Sequence, residues 1–461
     1  MKFFFTRTFL AALLAGGLTA CGGGNSSSSS PTQPLVPGSP QSATTVVNVS
    51  DAPSDRLVSF EITIDSIVLT KSDNSTASVL ANPRKVEVTH LSGTTEPLVL
   101  SAIPQGTYIG ATVAVSAPEV VFINNAGQAV EKELPSFTAN VNVPLSPPLV
   151  VGSGPVVLTF DLNAKTSVTI DLTNNTVTIT PNFSVRTSAL PAAGHEGEEE
   201  AEDGGFEHVI GQVTAVTANS FTIKVGQSGA PLTFAVNSST QFEEGATLAS
   251  IAVNSLVRVE GGTQSDGTLI AREVELVGAQ EGQESEGVIT ATSGNPVSSF
   301  TLLLQDGSGG GMTVGMLGST LQVQIGPATQ FRVDNGSLDM SGWNLPQFSA
   351  SSLSKAQRVE VDATTPTNGV LTANTLKLEQ QALTGTVSQF SNSQFTLTVP
   401  TDSAFALLTG MNTVTIYIGK SAQVDNGLSL ANGATVRARG LLLLNPSQGS
   451  YVFVASRLSQ P

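Results

Sequence analysis

One cysteine, one tryptophan, three histidines and three tyrosines are spread over 461 residues. A single cysteine cannot close an internal disulfide. Charge is scarce as well: Asp, Glu, Lys and Arg make up 12% of the chain, against about 25% in ordinary globular domains. What charge there is leans acidic, with a net of −16. Phosphate binding needs clustered Lys and Arg, so the composition leads us to expect no nucleic acid partner. The 44 glycines and 24 prolines, with plentiful Ser, Thr and Asn, suit short strands joined by turns and argue against a helical bundle. The length accommodates three or four domains, each with its own core.

Lys2 and Arg7 precede an apolar run that begins at Phe9. The run is shorter than the roughly 20 residues of a membrane-spanning helix and fits a secretory signal. It ends in Leu18-Thr19-Ala20-Cys21, which resembles the lipobox of bacterial lipoproteins. The resemblance implies that residues 1–20 are a cleaved signal peptide and that Cys21 carries a diacylglyceryl group and an acylated amine. Gly22, where Asp would favour inner-membrane retention, resembles outer-membrane cargo. The expected location is therefore the bacterial cell envelope, at the outer membrane, with the membrane as a partner through lipidated Cys21. The uncharged Gly/Ser/Pro stretch completing residues 21–43 buries too little to fold and reads as a flexible tether.

Residues 44–187 read as strands. Val58, Phe60, Ile62 and Ile64 alternate with Ser59, Glu61 and Thr63, the period of a strand with one buried face. Further runs at Val156–Asp161, Val168–Asp171 and Thr176–Ile179, the last after an Asn174-Asn175 turn, suggest a β-sandwich-like domain. Asp51-Ala52-Pro53-Ser54-Asp55, Pro104-Gln105-Gly106-Thr107-Tyr108 and Phe160-Asp161-Leu162 resemble the bacterial domain of unknown function 4382, which implies an envelope β domain and no known reaction. Residues 188–207 hold six acids between Glu196 and Asp203, a density that resists packing and marks an acidic linker.

The remainder repeats. Gly211-Gln212-Val213-Thr214-Ala215 returns at Gly287-Val288-Ile289-Thr290-Ala291 and at Gly385-Thr386-Val387, each followed by a Phe at 221, 300 or 395. Other blocks recur in the same order, giving units at 208–278, 285–379 (with an insertion) and 382–459. They resemble the domain of unknown function 5666, which implies five-stranded barrels of the OB type. The fold class expected is all-β: a sandwich-like domain followed by three tandem small OB-type barrels. Units this long hold their own cores and are expected as beads on a string.

Chemistry is sparse. His195 and His208 lie in or beside the acidic linker, and His195-Glu196 lacks the second histidine of a helix-borne zinc site. No G-x-S-x-G elbow occurs, and His90 sits in Glu87-Val88-Thr89-His90, so no Ser-His-Asp enzyme is expected. Gly307–Gly311 lacks the Lys-Ser/Thr of a phosphate loop and reads as a hairpin tip. Asp51 and Asp55 flank Pro53; they could ligate calcium, the one cofactor the chain suggests, or simply serve an Asx turn and solvent. Trp343, within Met340–Pro346 of the insertion, could stack on a sugar ring or plug a barrel end. The function expected is a non-enzymatic, membrane-anchored envelope lipoprotein, a scaffold or binding module for an envelope glycan or protein. The alternatives are a calcium-stabilised surface adhesin and a carboxylate-dependent enzyme on envelope polymers.

Overall fold

In the strand Leu57–Lys71, Phe60, Ile62 and Ile64 face the core while Glu61, Thr63 and Asp65 face outward. The computed structural model describes residues 42–52, 54–91, 94–188, 205–225, 230–243, 246–277, 283–306, 317–334, 338–367, 370–391, 393–425 and 427–460. The lipobox with Cys21, the tether, most of the acidic linker with His195, and Gly307–Gly311 lie outside the described residues.

The N-terminal part packs two sheets. One has the order Phe183–Ser188, Val156–Asn163, Ser42–Ala52, Glu96–Pro104, with Ser42–Ala52 parallel to Val156–Asn163. The other is built on Leu57–Lys71 and Gly106–Ile123, flanked by Thr76–Leu80, Arg84–Glu87, Ala129–Glu133 and Thr138–Val151. Val47, Val49, Leu158 and Phe160 of the first sheet meet Phe60, Ile62, Val113 and Val115 of the second in one buried cluster. A separate hairpin pairs Val168–Asp171 with Thr176–Ile179.

Three barrels follow, the second and third each closed by five strands. The second runs Gln283–Ser293, Ser299–Asp306, Thr320–Val333, Arg358–Thr367, Val370–Leu378; the third runs Gln381–Ser388, Gln394–Thr398, Thr413–Val424, Thr435–Asn445, Ser450–Ser459. In both, the third strand pairs in parallel with the fifth and the ring closes in the order 1-2-3-5-4. The first barrel uses Gly205–Val216, Ser220–Lys224, Pro231–Ala235, Gln241–Phe242, Leu256–Thr263 and Leu269–Val277; here Pro231–Ala235 and the two-residue strand Gln241–Phe242 both pair in parallel with Leu269–Val277. This is the Greek-key barrel of the OB type. The repeat-opening glycine has a steric reason: a Cβ on Gly211, Gly287 or Gly385 would collide with the carbonyl oxygen of Lys224, Leu303 or Thr398 on the second strand. Phe221, Phe300 and Phe395 all point into the barrel cores.

The units are not beads on a string. Residues 40–461 form one compact unit, and its apolar clusters cross unit boundaries. Val58, Val121 and Ile123 of the sandwich pack with Phe405 and Leu408 of the third barrel and Leu303 of the second. Leu441, Leu443, Val452 and Val454 of the third barrel enter the second barrel's cluster. Val46 and Val157 of the sandwich join the first barrel. Alternation explains how one strand serves two cores, since neighbouring side chains point to opposite faces. Val120 and Phe122 turn inward in the sandwich while Val121 and Ile123 turn toward the third barrel. Val58 joins them because a bulge between Leu57 and Ser59 leaves it outside the ladder and re-aims it.

Candidate functional site

Two buried polar groups on the sandwich face the barrels. The first begins with Asp51, at the end of Ser42–Ala52, whose parallel partner strand delivers Ala164 beside it. Asp51 Oδ1 accepts the Ala164 N–H at 3.0 Å, while Oδ2 is buried without a partner among the described residues. Burial pushes its carboxyl well above the usual range, and the nearby Arg437 charge offsets only part of this. Asp55 turns the other way. Its Oδ1 accepts the Thr384 N–H of the third barrel at 2.9 Å, and its carbonyl accepts the Ala404 N–H at 2.7 Å. Burial raises the Asp55 carboxyl to about 6, although the Thr384 hydrogen bond and the Arg437 charge pull it down. Arg56 pairs with Asp402 next door.

Asp55 therefore ties the sandwich to the third barrel, while the hydrogen bond of Asp51 stays inside the sandwich. The two carboxylates take different protein partners, and both lie in the field of Arg437, which pairs with Thr384 across the first and fourth barrel strands. Among the described residues, the three acids close enough to share a cation are Glu119, Glu131 and Glu133 at the rim of the sandwich, mostly exposed. Partial burial, then their mutual repulsion, raises Glu119.

The second group centres on Glu87, a residue the sequence reading passed over. Glu87 Oε1 accepts from Phe60 N–H at 2.9 Å, Ser59 Oγ at 3.0 Å and Thr89 Oγ1 at 2.7 Å; Oε2 lies 3.0 Å from His90 Nδ1. Burial alone would raise this carboxyl, but the His90 hydrogen bond and charge and the other donors hold it at about 2. His90, in the 3-10 turn Thr89–Leu91, is pushed down by burial and, more strongly, up by Glu87. The Ser59 hydroxyl donates to the glutamate and not to the imidazole, which is not the order of a nucleophile–base–acid relay. The signal for this pair was the spacing Glu87…His90, which a single 3-10 turn closes onto itself.

Trp343 is part-buried, and its ring lies 4.7 Å from that of Tyr417 on the third barrel, tilted by 44°. The insertion carrying it continues this contact: Asp339 N–H donates to Ser421 Oγ at 2.8 Å, and Gln357 Nε2 to the Leu442 carbonyl at 3.1 Å. The tryptophan thus braces one barrel against the next rather than closing a barrel end. The side chain of His208 lies outside what is described.

No curated protein matches the chain. A solved structure described as a multidomain protein with nucleic acid binding domains from Streptococcus pneumoniae TIGR4 is 10% identical, over 54% of this chain and 72% of that one, with a TM-score of 0.13. Another, described as Drosophila Unr CSD456, is 12% identical over 55% of this chain and 97% of that one, also at 0.13. The expectation that excludes nucleic acid from the partners is withdrawn: one of these matched proteins is described as carrying nucleic acid binding domains, and the exclusion rested on net charge alone. Net charge is a sum over the whole surface, whereas binding follows the local potential of one face. At these scores neither likeness carries an argument about what this chain binds. Residues 42–181 match the family model of the domain of unknown function DUF4382, and residues 210–275 and 286–377, in the first and second barrels, match that of the domain of unknown function DUF5666.

Proposed function

We propose that this protein is a non-enzymatic scaffold of the bacterial cell envelope, tethered to the outer membrane through lipidated Cys21. The observation that carries the reading is the docking of its units: the sandwich and third barrel share one apolar cluster, the second and third barrels another, and the sandwich and first barrel a third. A chain whose units bury shared surface holds a fixed shape at the end of its tether, which is what a scaffold must do. Asp55 and Trp343 serve that docking.

The test is membrane fractionation of cells producing the full chain and its Cys21→Ser variant. The wild type should sediment with outer membranes and the variant should move to the soluble fraction. A wild type that is soluble, or a variant that still sediments, would overturn the anchoring. Partial proteolysis that releases stable single barrels from the wild type would overturn the rigid scaffold.

A further inference from the structure

The paired strands Gly106–Ile123 and Thr138–Val151 change character along their outer face. Ala111, Val113 and Val115, with Val143 and Val141 opposite, point into the sandwich core. The outward pairs run Ser116–Thr138, Ala114–Asn140, Thr112–Asn142, Gly110–Pro144 and, past a bulge, Thr107–Val150. The polar part bonds to itself, Thr112 Oγ1 donating to Asn142 Oδ1 at 2.9 Å. The far part is aliphatic. Val150 is 72% exposed and Ile109, its diagonal neighbour across the ladder, is 43% exposed. Pro144, Pro147 and Pro148 beside them are exposed as well. None of these outward residues is charged.

That aliphatic end is also where the chain from Cys21 enters the sandwich. Ser42 opens the first sheet opposite Pro104, and the Pro104 carbonyl accepts the Tyr108 hydroxyl at 2.7 Å. Tyr108 stands between Thr107 and Ile109, so the entry and the patch share one end. A Gly/Ser-rich stretch as long as that from Cys21 to Ser42 spans about 25 Å root-mean-square, which keeps an anchored patch close to its membrane. Lys71 and Asp73, from the neighbouring strand and its turn, already have partners: Lys71 Nζ donates to the Gln105 carbonyl at 3.0 Å, and Asp73 accepts from Ser75.

So few side chains bury less than the roughly 1,000 Å² of a specific protein interface. A bilayer asks for no matching shape, only for uncharged apolar side chains at the headgroup boundary. We propose, on the basis of the anchoring through Cys21 set out above, that Ile109, Val150 and the flanking prolines seat the sandwich on the lipid bilayer that holds Cys21. The contact is weak by itself. It gains from the anchor, which makes it an intramolecular event at high effective concentration, and it fixes which end of the sandwich faces the membrane.

The experiment places the full lipid-carrying chain in phosphatidylethanolamine–phosphatidylglycerol vesicles, with or without lipids brominated in the upper acyl chain. Flotation first shows whether the chain is anchored. Tryptophan is introduced by Val150→Trp or, as a control, by Val253→Trp on the first barrel, where the valine is 53% exposed, and the wild-type signal of Trp343 is subtracted. Bromolipid should cut the added fluorescence of Val150→Trp at least about twofold, since an interfacial side chain sits about 5–10 Å into the headgroup and acyl boundary. It should leave that of Val253→Trp unchanged. A chain that floats but is not quenched at position 150, or is quenched equally at 150 and 253, overturns the proposal and leaves the anchoring standing. A chain that does not float overturns the anchoring, and this contact with it. Ile109→Trp supplies the same comparison where Val150→Trp fails to fold.

Discussion

Arg258 of the first barrel sets one nitrogen, Nη1, 2.8 Å from Glu275 on the neighbouring strand and 2.9 Å from Glu360 on the second barrel. The guanidinium is nearly buried, and Glu360 also lies within 4.0 Å of Lys377. One cation therefore neutralises two acids on different units, and it does so away from water.

Removing that cation leaves part-buried Glu275 and buried Glu360 with Lys377 as the cation still beside them. Arg258→Met should destabilise the chain by about 3–5 kcal/mol, the usual cost of stranding a buried charge. Urea unfolding checks this through the midpoint at constant slope. Adding Glu275→Gln and Glu360→Gln to Arg258→Met should recover a large part of the loss.

Asp55 makes stability fall as pH rises. Its folded carboxyl titrates at about 6, above the ordinary 3.8. The stability linked to its proton is complete below 3.8 and is lost as pH climbs through about 6. Asp55→Asn keeps an oxygen for the Thr384 N–H and removes the titration, so this limb should vanish and the variant should match or exceed the wild type above pH 6. Asp55→Ala orphans that N–H and should cost about 1–3 kcal/mol at every pH. Melts between pH 4 and pH 8 separate the two variants.

Glu87 and His90 define opposite limbs. Glu87, held at about 2, contributes stability that is complete above 4.5 and lost as pH falls toward 2. His90, raised by Glu87, contributes stability that is complete below 6.5 and lost as pH rises through its folded value. His90→Gln should remove the alkaline limb. Glu87→Gln should remove the acid limb of Glu87 and leave His90 to burial, which favours the neutral imidazole, and should cost about 1.5–3 kcal/mol through the lost charge-assisted hydrogen bonds. Denaturant midpoints across the pH range give both answers.

Trp343 is the single tryptophan and touches the third barrel through Tyr417, so its fluorescence reports the contact between the second and third barrels. The fluorescence transition should coincide with that of far-UV circular dichroism if the barrels unfold together. Two separate midpoints would show independent barrels. Trp343→Ala should cost about 0.5–1.5 kcal/mol beyond the area it exposes.

Much of the architecture was legible. Period-two alternation at Phe60–Ile64 marked the sandwich, with Val58 turned out of it by the bulge, and repeated glycine and phenylalanine positions marked barrels whose second strand leaves no room for a side chain at Gly211, Gly287 and Gly385. A signal for docking was also on the page. Val120–Ile123 and Leu441–Leu444 are unbroken apolar runs, and a strand reads that way when both of its faces are covered.

The strand periods, the repeat and the apolar runs are local properties, set by which side of a backbone each residue occupies, and these the chain determined alone. Which unit covers Val121 or Leu441, why Asp55 meets Thr384, and how Arg258 comes to serve Glu360 depended on surfaces hundreds of residues apart in some cases. Such contacts leave no periodicity in the sequence, because docking selects for the match between two faces and neither face carries it by itself. Tertiary structure therefore decided that Asp55 and the lone tryptophan hold units together, while Asp51 stays bonded within its own.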